Sequence, residues 1–143
     1  MVRNRSIAVT RLIAAPAERI FDLLADARKH PLLDGSGEVV SVKRAPSRLS
    51  MGARFSMDMR NRVGYRTTNV VVAFEENRTI AWHHVAQFVW RYDLETVDGG
   101  TQVTESFTYD KPWAFTIIWL GWPEKNRRSM TATLERLEQL VTA

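Results

Sequence analysis

PEKNRRSMTATLERLEQLV, residues 123–141, reads as one amphipathic helix. Met130, Leu134, Leu137 and Val141 recur at 4-3-4 spacing, so they share one face of a helical repeat. Leu140 is expected to widen that stripe, and Lys125, Arg127, Arg128, Glu135 and Glu138 belong to the other side. Pro123 suits the first turn, where a missing N–H costs nothing, and Glu124 beside it complements the positive end of the helix dipole. Burying the four stripe residues would contribute roughly 6–12 kcal/mol at about 1.5–3 kcal/mol each, an upper bound because unfolded chains are already partly compact. Such a helix needs an apolar surface to lie on.

Most of the preceding chain reads as the strands that supply that surface. Residues 5–14 alternate in part, with Ile7 and Val9 opposed to Ala8 and Thr10. Ala15-Pro16-Ala17-Glu18 opens a helix whose apolar face is Ile20, Phe21 and Leu24, with Leu23 beside it, and Asp26-Ala27 ends it. Residues 28–34 are expected as a short second helix limited by Pro31, followed by a Gly35-Ser36-Gly37 turn. From residue 38 the period is two. Val40 and Val42 alternate in the next strand, and Phe55, Met57 and Met59 alternate with Ser56, Asp58 and Arg60. Residues 61–65 read as a turn, 66–74 as a Thr/Val-rich strand and 75–78 as another turn. Within 79–85, Ile80, Trp82 and His84 share one face, and Ala81, His83 and Val85 the other. Phe88, Trp90, Tyr92 and Leu94 form the clearest alternation in the chain, and Asp98-Gly99-Gly100 signals a hairpin into Val103, Glu105, Phe107 and Tyr109. Residues 112–122 are apolar and aromatic, a helical lead-in broken at Gly121-Trp122-Pro123.

About seven antiparallel strands with one apolar face make a strongly curved sheet, and the terminal helix is the large cover available for it. The fold class is therefore α+β. Residues 1–143 are expected to form one domain, since no repeat, low-complexity segment or linker interrupts them.

With no cysteine in 143 residues, a disulfide framework, thiolate metal site and thiol nucleophile are excluded. The charged start, residues 1–6, lacks the apolar run of a secretory signal because Arg11 interrupts it, so a cytoplasmic location is the expectation. Net charge is +4, but lysines and arginines are scattered among acids, clustering only at Lys125, Arg127 and Arg128 and, more loosely, at Arg60, Arg62 and Arg66. Solvated faces account for that pattern, and no nucleic-acid partner is expected. Adjacent His83 and His84 point to opposite faces of a strand, and no metal site is expected. There is no phosphate-binding loop, dinucleotide fingerprint or Ser-His-Asp signature, and no cofactor is expected.

The order strand, short helices, six strands, long helix resembles the helix-grip fold of the START and pollen-allergen (SRPBCC) superfamily. The likeness is to its bacterial polyketide cyclase/dehydrase and lipid-transport branch. It rests on Ala15 to Phe21, on His30-Pro31-Leu32-Leu33-Asp34-Gly35-Ser36-Gly37, on Phe74-Glu75 leading to Ile80-Ala81-Trp82, on Gly100 to Glu105, and on Thr133 to Leu137. The resemblance implies a curved sheet wrapped around the C-terminal helix with a hydrophobic cavity between them. It selects no reaction, because activities are grafted onto folds.

On that basis Phe55, Met57, Met59, Trp82, Trp90, Phe107, Tyr109, Trp119, Met130 and Leu134 are candidate ligand contacts. Aromatic and methionine side chains suit a flat or flexible apolar ligand, although stripes of this kind also make an ordinary filled core. Glu105 shares the inward phase of Val103 and Phe107; a carboxyl there is either an acid/base or hydrogen-bonding group, one half of an ion pair with an arginine, or placed near the wet end of the sheet. His84 and Tyr92 are its candidate catalytic partners. His30 and Asp34, four residues apart beside the Gly-Ser-Gly turn, are placed at the cavity mouth by the resemblance, with a plain helix end as the alternative.

Three functions follow as expectations. The first is binding of a small lipid- or polyketide-like molecule. The second is a cofactor-free cyclase/dehydrase in which Glu105 or His84 takes a proton next to a carbonyl and a tyrosine steadies the enolate. The third is an interaction module with a filled core and an exposed face drawn from Trp113, Phe115, Ile117, Ile118, Trp119, Leu120 and Trp122; that segment is expected first as core or as a lid closing the cavity, second as a homodimer patch and third as a peripheral membrane contact.

Overall fold

The terminal helix forms as its spacing predicts. A computed structural model, which describes residues 5–84 and 87–143, runs this helix, α4, from Trp122 to Thr142. Residues 1–4, and Val85 with its expected outward face, lie outside the described residues. Met130, Leu134, Leu137 and Val141 are all buried, and Thr133 joins them. Leu140 does not widen the stripe: it is 41% exposed. At the helical repeat it falls about 90° from the stripe's centre, too far round to meet the sheet.

That sheet has seven antiparallel strands, β1 (Ser6–Ile13), β2 (Val39–Arg44), β3 (Arg54–Asn61), β4 (Val63–Glu75), β5 (Thr79–His83), β6 (Val89–Val97) and β7 (Gly100–Thr108). Their order is β1-β7-β6-β5-β4-β3-β2, so β1 and β2 occupy opposite edges. The chain crosses between those edges through α1 (Ala17–Leu24), a 3₁₀ turn (Ala27–Lys29) and α2 (His30–Leu33). These elements join α4 in covering the apolar face, which is the α+β helix-grip architecture.

Two local expectations are corrected. Register shifts between Val39 and Ser41 and between Val42 and Arg44 turn Val39 and Val42 toward the core and leave Val40 54% exposed. A bulge reverses the simple alternation because it adds a residue on one strand only. Residues 61–65 are not a loop: Asn61 pairs with Val63, Arg62 turns the chain at φ 68°, and Gly64 and Tyr65 lie within β4. Cross-strand pairing carried to the hairpin tip overrides the turn signal of Gly64.

One glycine fixes how the crossing segment meets α4. A Cβ at Gly35 would lie 2.3 Å from the Ser129 carbonyl oxygen and 2.6 Å from the Thr133 nitrogen. The Gly35 N–H instead donates to Thr133 Oγ1 at 2.8 Å, and the Arg136 guanidinium donates to the Asp34 carbonyl.

Candidate functional site

Packing divides the buried side chains into two clusters. One gathers Ile13, Phe21, Leu24, Leu134, Leu137 and Val141 at one end of the sheet and extends to Phe55, Met57 and Tyr92. The other holds Ile7, Phe88, Phe107, Ala114, Ile117 and Met130, with Trp90 against it. Members of both line a cavity of about 440 Å³ beneath the first half of α4. Ligand sites commonly fall in the range ~300–1,000 Å³, so the void is large enough for a small molecule.

Strand alternation supplies the walls. Phe55, Met57 and Met59 come from β3, Trp82 from β5, Trp90 and Tyr92 from β6, and Glu105 and Phe107 from β7, each on the inward phase. Trp90 and Phe107 rings lie 4.5 Å apart, and Trp82 contacts Tyr92 at 5.8 Å and Phe55 edge-on at 5.6 Å. Such tilted and edge contacts hold flat surfaces facing the void while leaving it unfilled.

The expected polar candidates occupy this cavity. Glu105 is 3% exposed and pairs in register with Tyr92 on β6 and Val9 on β1. Its Oε1 has no hydrogen-bond partner among the described residues. Burial pushes its pKa up to about 8, with the Tyr92 hydroxyl opposing that rise as a donor and Asp34 adding to it. At neutral pH Glu105 is therefore a carboxylic acid with an O–H to donate. Burial, together with the Glu105 carboxyl, also raises Tyr92 well above the ordinary phenol value. His84 lines the cavity just past the end of β5, and burial, helped by His83, lowers its pKa and keeps the ring neutral. His83 is not part of the lining; its Nδ1 lies 3.2 Å from the His84 carbonyl.

His30 differs from what the resemblance implied. His30 is not at a mouth but within the wall, 5% exposed, stacked on Trp82 at 5.0 Å with Phe55 edge-on at 5.6 Å. Its Nε2 lies 2.9 Å from the Leu24 carbonyl, which only accepts, so Nε2 carries the hydrogen. Burial lowers its pKa despite that bond, so the neutral ring serves as an aromatic panel. Asp34 also borders the cavity, and its carboxylate accepts from the Ser36 hydroxyl at 2.7 Å and the Ser36 and Val39 N–H groups at 3.2 Å. It organises the Gly-Ser-Gly turn.

Three expected ligand contacts fall outside the lining. Leu134 is fully buried in the filled cluster: it follows Thr133, the last cavity-lining residue of α4, and turns to Ile13, Phe21 and Leu24 instead. Tyr109 stacks on Phe107 at 5.6 Å, past the end of β7. Trp119 is 87% exposed: α3 (Phe115–Trp119) turns only Ile117 inward. Met130 does line the cavity.

Other lining residues were not singled out from the sequence. Asn69, 5% exposed, donates to the Phe55 carbonyl at 3.4 Å; a polar residue in phase with buried Val71 on β4 was the signal for it. Phe88 carried its own signal, since it opens the alternation of Trp90 and Tyr92. Tyr65, Arg66, Trp122 and Lys125 border the opening between the β3–β4 hairpin and the start of α4, and no local pattern joins two segments so far apart. Among the described residues no cluster of three or more histidines and acids offers a metal site.

Comparison with known proteins places this architecture. Residues 4–142 match the family model described as polyketide cyclase / dehydrase and lipid transport. An uncharacterised Mycobacterium tuberculosis protein, Rv0088, is 34% identical over 132 residues, which cover 87% of this chain and 59% of that protein. The chain thus spans less than two thirds of that relative's length. In structure, protein CV1439 from Chromobacterium violaceum superposes with a TM-score of 0.75 at 16% identity, covering 97% of this chain and 99% of that one. The polyketide-cyclase-like protein Cgl2372 from Corynebacterium glutamicum gives 0.60 at 20% identity, covering 99% and 92%. The chain belongs to the polyketide cyclase / dehydrase and lipid transport family.

Proposed function

We propose that this member of the family binds a small, mostly apolar, uncharged molecule of lipid or polyketide type in the cavity under α4. The observation that carries the reading is the combination of an aromatic- and methionine-walled void of about 440 Å³ with one buried carboxyl, Glu105, whose Oε1 is unpartnered. A carboxyl buried without full hydrogen bonding costs about 1–3 kcal/mol, which a ligand hydroxyl or carbonyl would offset. The same burial disfavours an anionic ligand, since a second negative charge would enter beside Asp34 and a poorly solvated Glu105.

One feature favours turnover as a second reading. Glu105 is protonated at neutral pH while His84, also lining the cavity, is neutral and able to accept a proton. In a cyclase/dehydrase His84 would remove the proton next to a carbonyl, and Glu105 or the Tyr92 hydroxyl would donate to the oxygen that gains charge. The interaction-module reading needs a filled core, which the cavity opposes.

The test is native mass spectrometry and solvent extraction of the purified protein, with titration of a neutral hydrophobic fluorescent probe against wild type, Trp90→Ala and Glu105→Gln. An apolar molecule in the extract, and probe affinity reduced several-fold by Trp90→Ala, are the expected results. An empty extract with probe binding indifferent to both substitutions would sink the reading.

A further inference from the structure

The side chains around the cavity opening form a pattern that ligand binding alone does not require. Trp122 and Tyr65, each 43% exposed, border the opening together with the exposed cations Lys125 and Arg66. Beyond Trp122 the apolar surface continues outward along the preceding segment: Trp119 is 87%, Phe115 65%, Leu120 59% and Ile118 41% exposed. Across the opening the tip of the β3–β4 hairpin adds Val63 at 69%. Isolated exposed apolar residues are ordinary on protein surfaces, but an aromatic run continuous with a cavity rim is not.

The charge beside this surface is predominantly positive, although two half-buried acids, Asp34 and Glu38, also line the cavity near Tyr65. Arg60, Arg62 and Arg66 lie at the hairpin, and Lys125, Arg127 and Arg128 on the first turns of α4. Asp58 engages Arg66 at 3.3 Å and Glu124 engages Arg127 at 3.6 Å. Arg60, Arg62, Lys125 and Arg128 have no ion pair among the described residues. Gly121, at φ 77°, makes the turn that lets α3 project away from α4 and carry Trp119 outward.

We infer that this face docks the protein on an anionic lipid bilayer, with Trp119, Leu120 and Phe115 entering the interface and the flanking cations meeting the headgroups. Aromatic rings suit the boundary between headgroups and acyl chains, and basic side chains beside them gain from the negative surface potential. Charge decides between occupants. A second copy placed symmetrically on the same face would set the cationic flanks against each other, whereas an anionic surface complements them. Docked this way, the cavity opening faces the bilayer, so an apolar ligand passes between membrane and cavity without crossing water. The inference rests on the ligand reading for that last step only; the docking itself needs only the surface.

The experiment is vesicle flotation of the full chain with phosphatidylcholine vesicles and with vesicles of phosphatidylcholine mixed with phosphatidylglycerol. Wild type, Trp119→Ser/Leu120→Ser and Arg62→Glu/Arg128→Glu are compared, none of these four positions lining the cavity. Wild type should partition into the anionic vesicles at least about tenfold better than into the neutral ones, with added salt reducing the difference. The serine pair should lose that partition, and the charge-reversed pair should bind both vesicle types equally weakly. Circular dichroism and cavity-probe affinity report whether each variant is folded, so lost partition with both intact supports docking. Absence of wild-type partition into anionic vesicles overturns the proposal, as does partition the folded serine pair retains. A dimer dispersed by Trp119→Ser/Leu120→Ser, without vesicle binding, would assign the face to a second copy instead. Probe binding without vesicle binding leaves the ligand reading standing and removes this one, and the reverse outcome does the opposite.

Discussion

From Leu134 to Val141, α4 packs into apolar surface shared with Ile13, Ile20, Phe21 and Leu24; from Trp122 to Thr133 the same helix borders a void. Both halves lie over the same sheet, and their inward side chains differ in kind. The second half presents Leu134, Leu137 and Val141, which fill space in few rotamers. The first presents Trp122, Lys125, Asn126, Ser129, Met130 and Thr133, which are amphipathic, small, polar or adaptable. One end of the helix holds the fold together, and the other leaves room and lines it with polar and adaptable side chains. A single secondary-structure element can thus be divided between stability and recognition with no break in its backbone.

That contrast can be broken by measurement, and the largest effect belongs to the cavity side. Glu105 titrates near pH 8 in the folded chain against a reference of 4.5, so folding favours its protonated form. Its contribution to stability is fully present below the reference value and is lost as pH rises through the folded one. Wild type should therefore lose stability relative to Glu105→Gln between about pH 5 and pH 8, by up to about 5 kcal/mol at 1.36 kcal/mol per pH unit. Urea denaturation of both proteins across that range reads the difference directly. A constant gap would mean that Glu105 is solvated and that the cavity is not the low-dielectric site described above.

Leu134→Ala comes next. Removing a fully buried leucine from the filled half should cost about 2–5 kcal/mol while leaving probe affinity in the surviving folded protein within error. A comparable loss of probe binding would erase the division of the helix. Gly35→Ala lies at the boundary between the halves, where the new Cβ would press on the backbone of Ser129 and Thr133. The crossing segment must shift, so a destabilisation of about 1–3 kcal/mol is expected, with weakened probe binding because His30 and Asp34 move with it. Met130→Ala is the smallest. Its side chain already faces a void, so stability should fall by about 1 kcal/mol, below the usual core value, while probe affinity changes in either direction as the cavity enlarges.

Much of this was legible before folding was considered. The strand faces of Phe55, Met57, Met59, Trp82, Trp90 and Phe107 follow from period two, and all of them line the cavity. Inward phase likewise put Tyr92 and Glu105 in the same layer, and the register then set them side by side. Other placements were out of reach. His30 reads as the start of a Pro-limited turn, and only its stacking on Trp82, some fifty residues away, makes it a wall. Trp119 reads like its apolar neighbours, yet a left-handed glycine and a short helix with one inward residue send it outward. Val40 was misplaced because a bulge depends on the partner strand rather than on the strand's own pattern.

By itself the sequence determined the main elements, their order and, outside the bulged β2, the face each turns inward, because helical and extended repeats are local properties of the backbone. Tertiary structure alone decided where the inward faces fail to meet, which carboxyl is left short of partners, and which aromatics reach the surface. Those outcomes depend on sheet curvature and on the summed volume of side chains far apart in the chain, quantities that no single stretch contains.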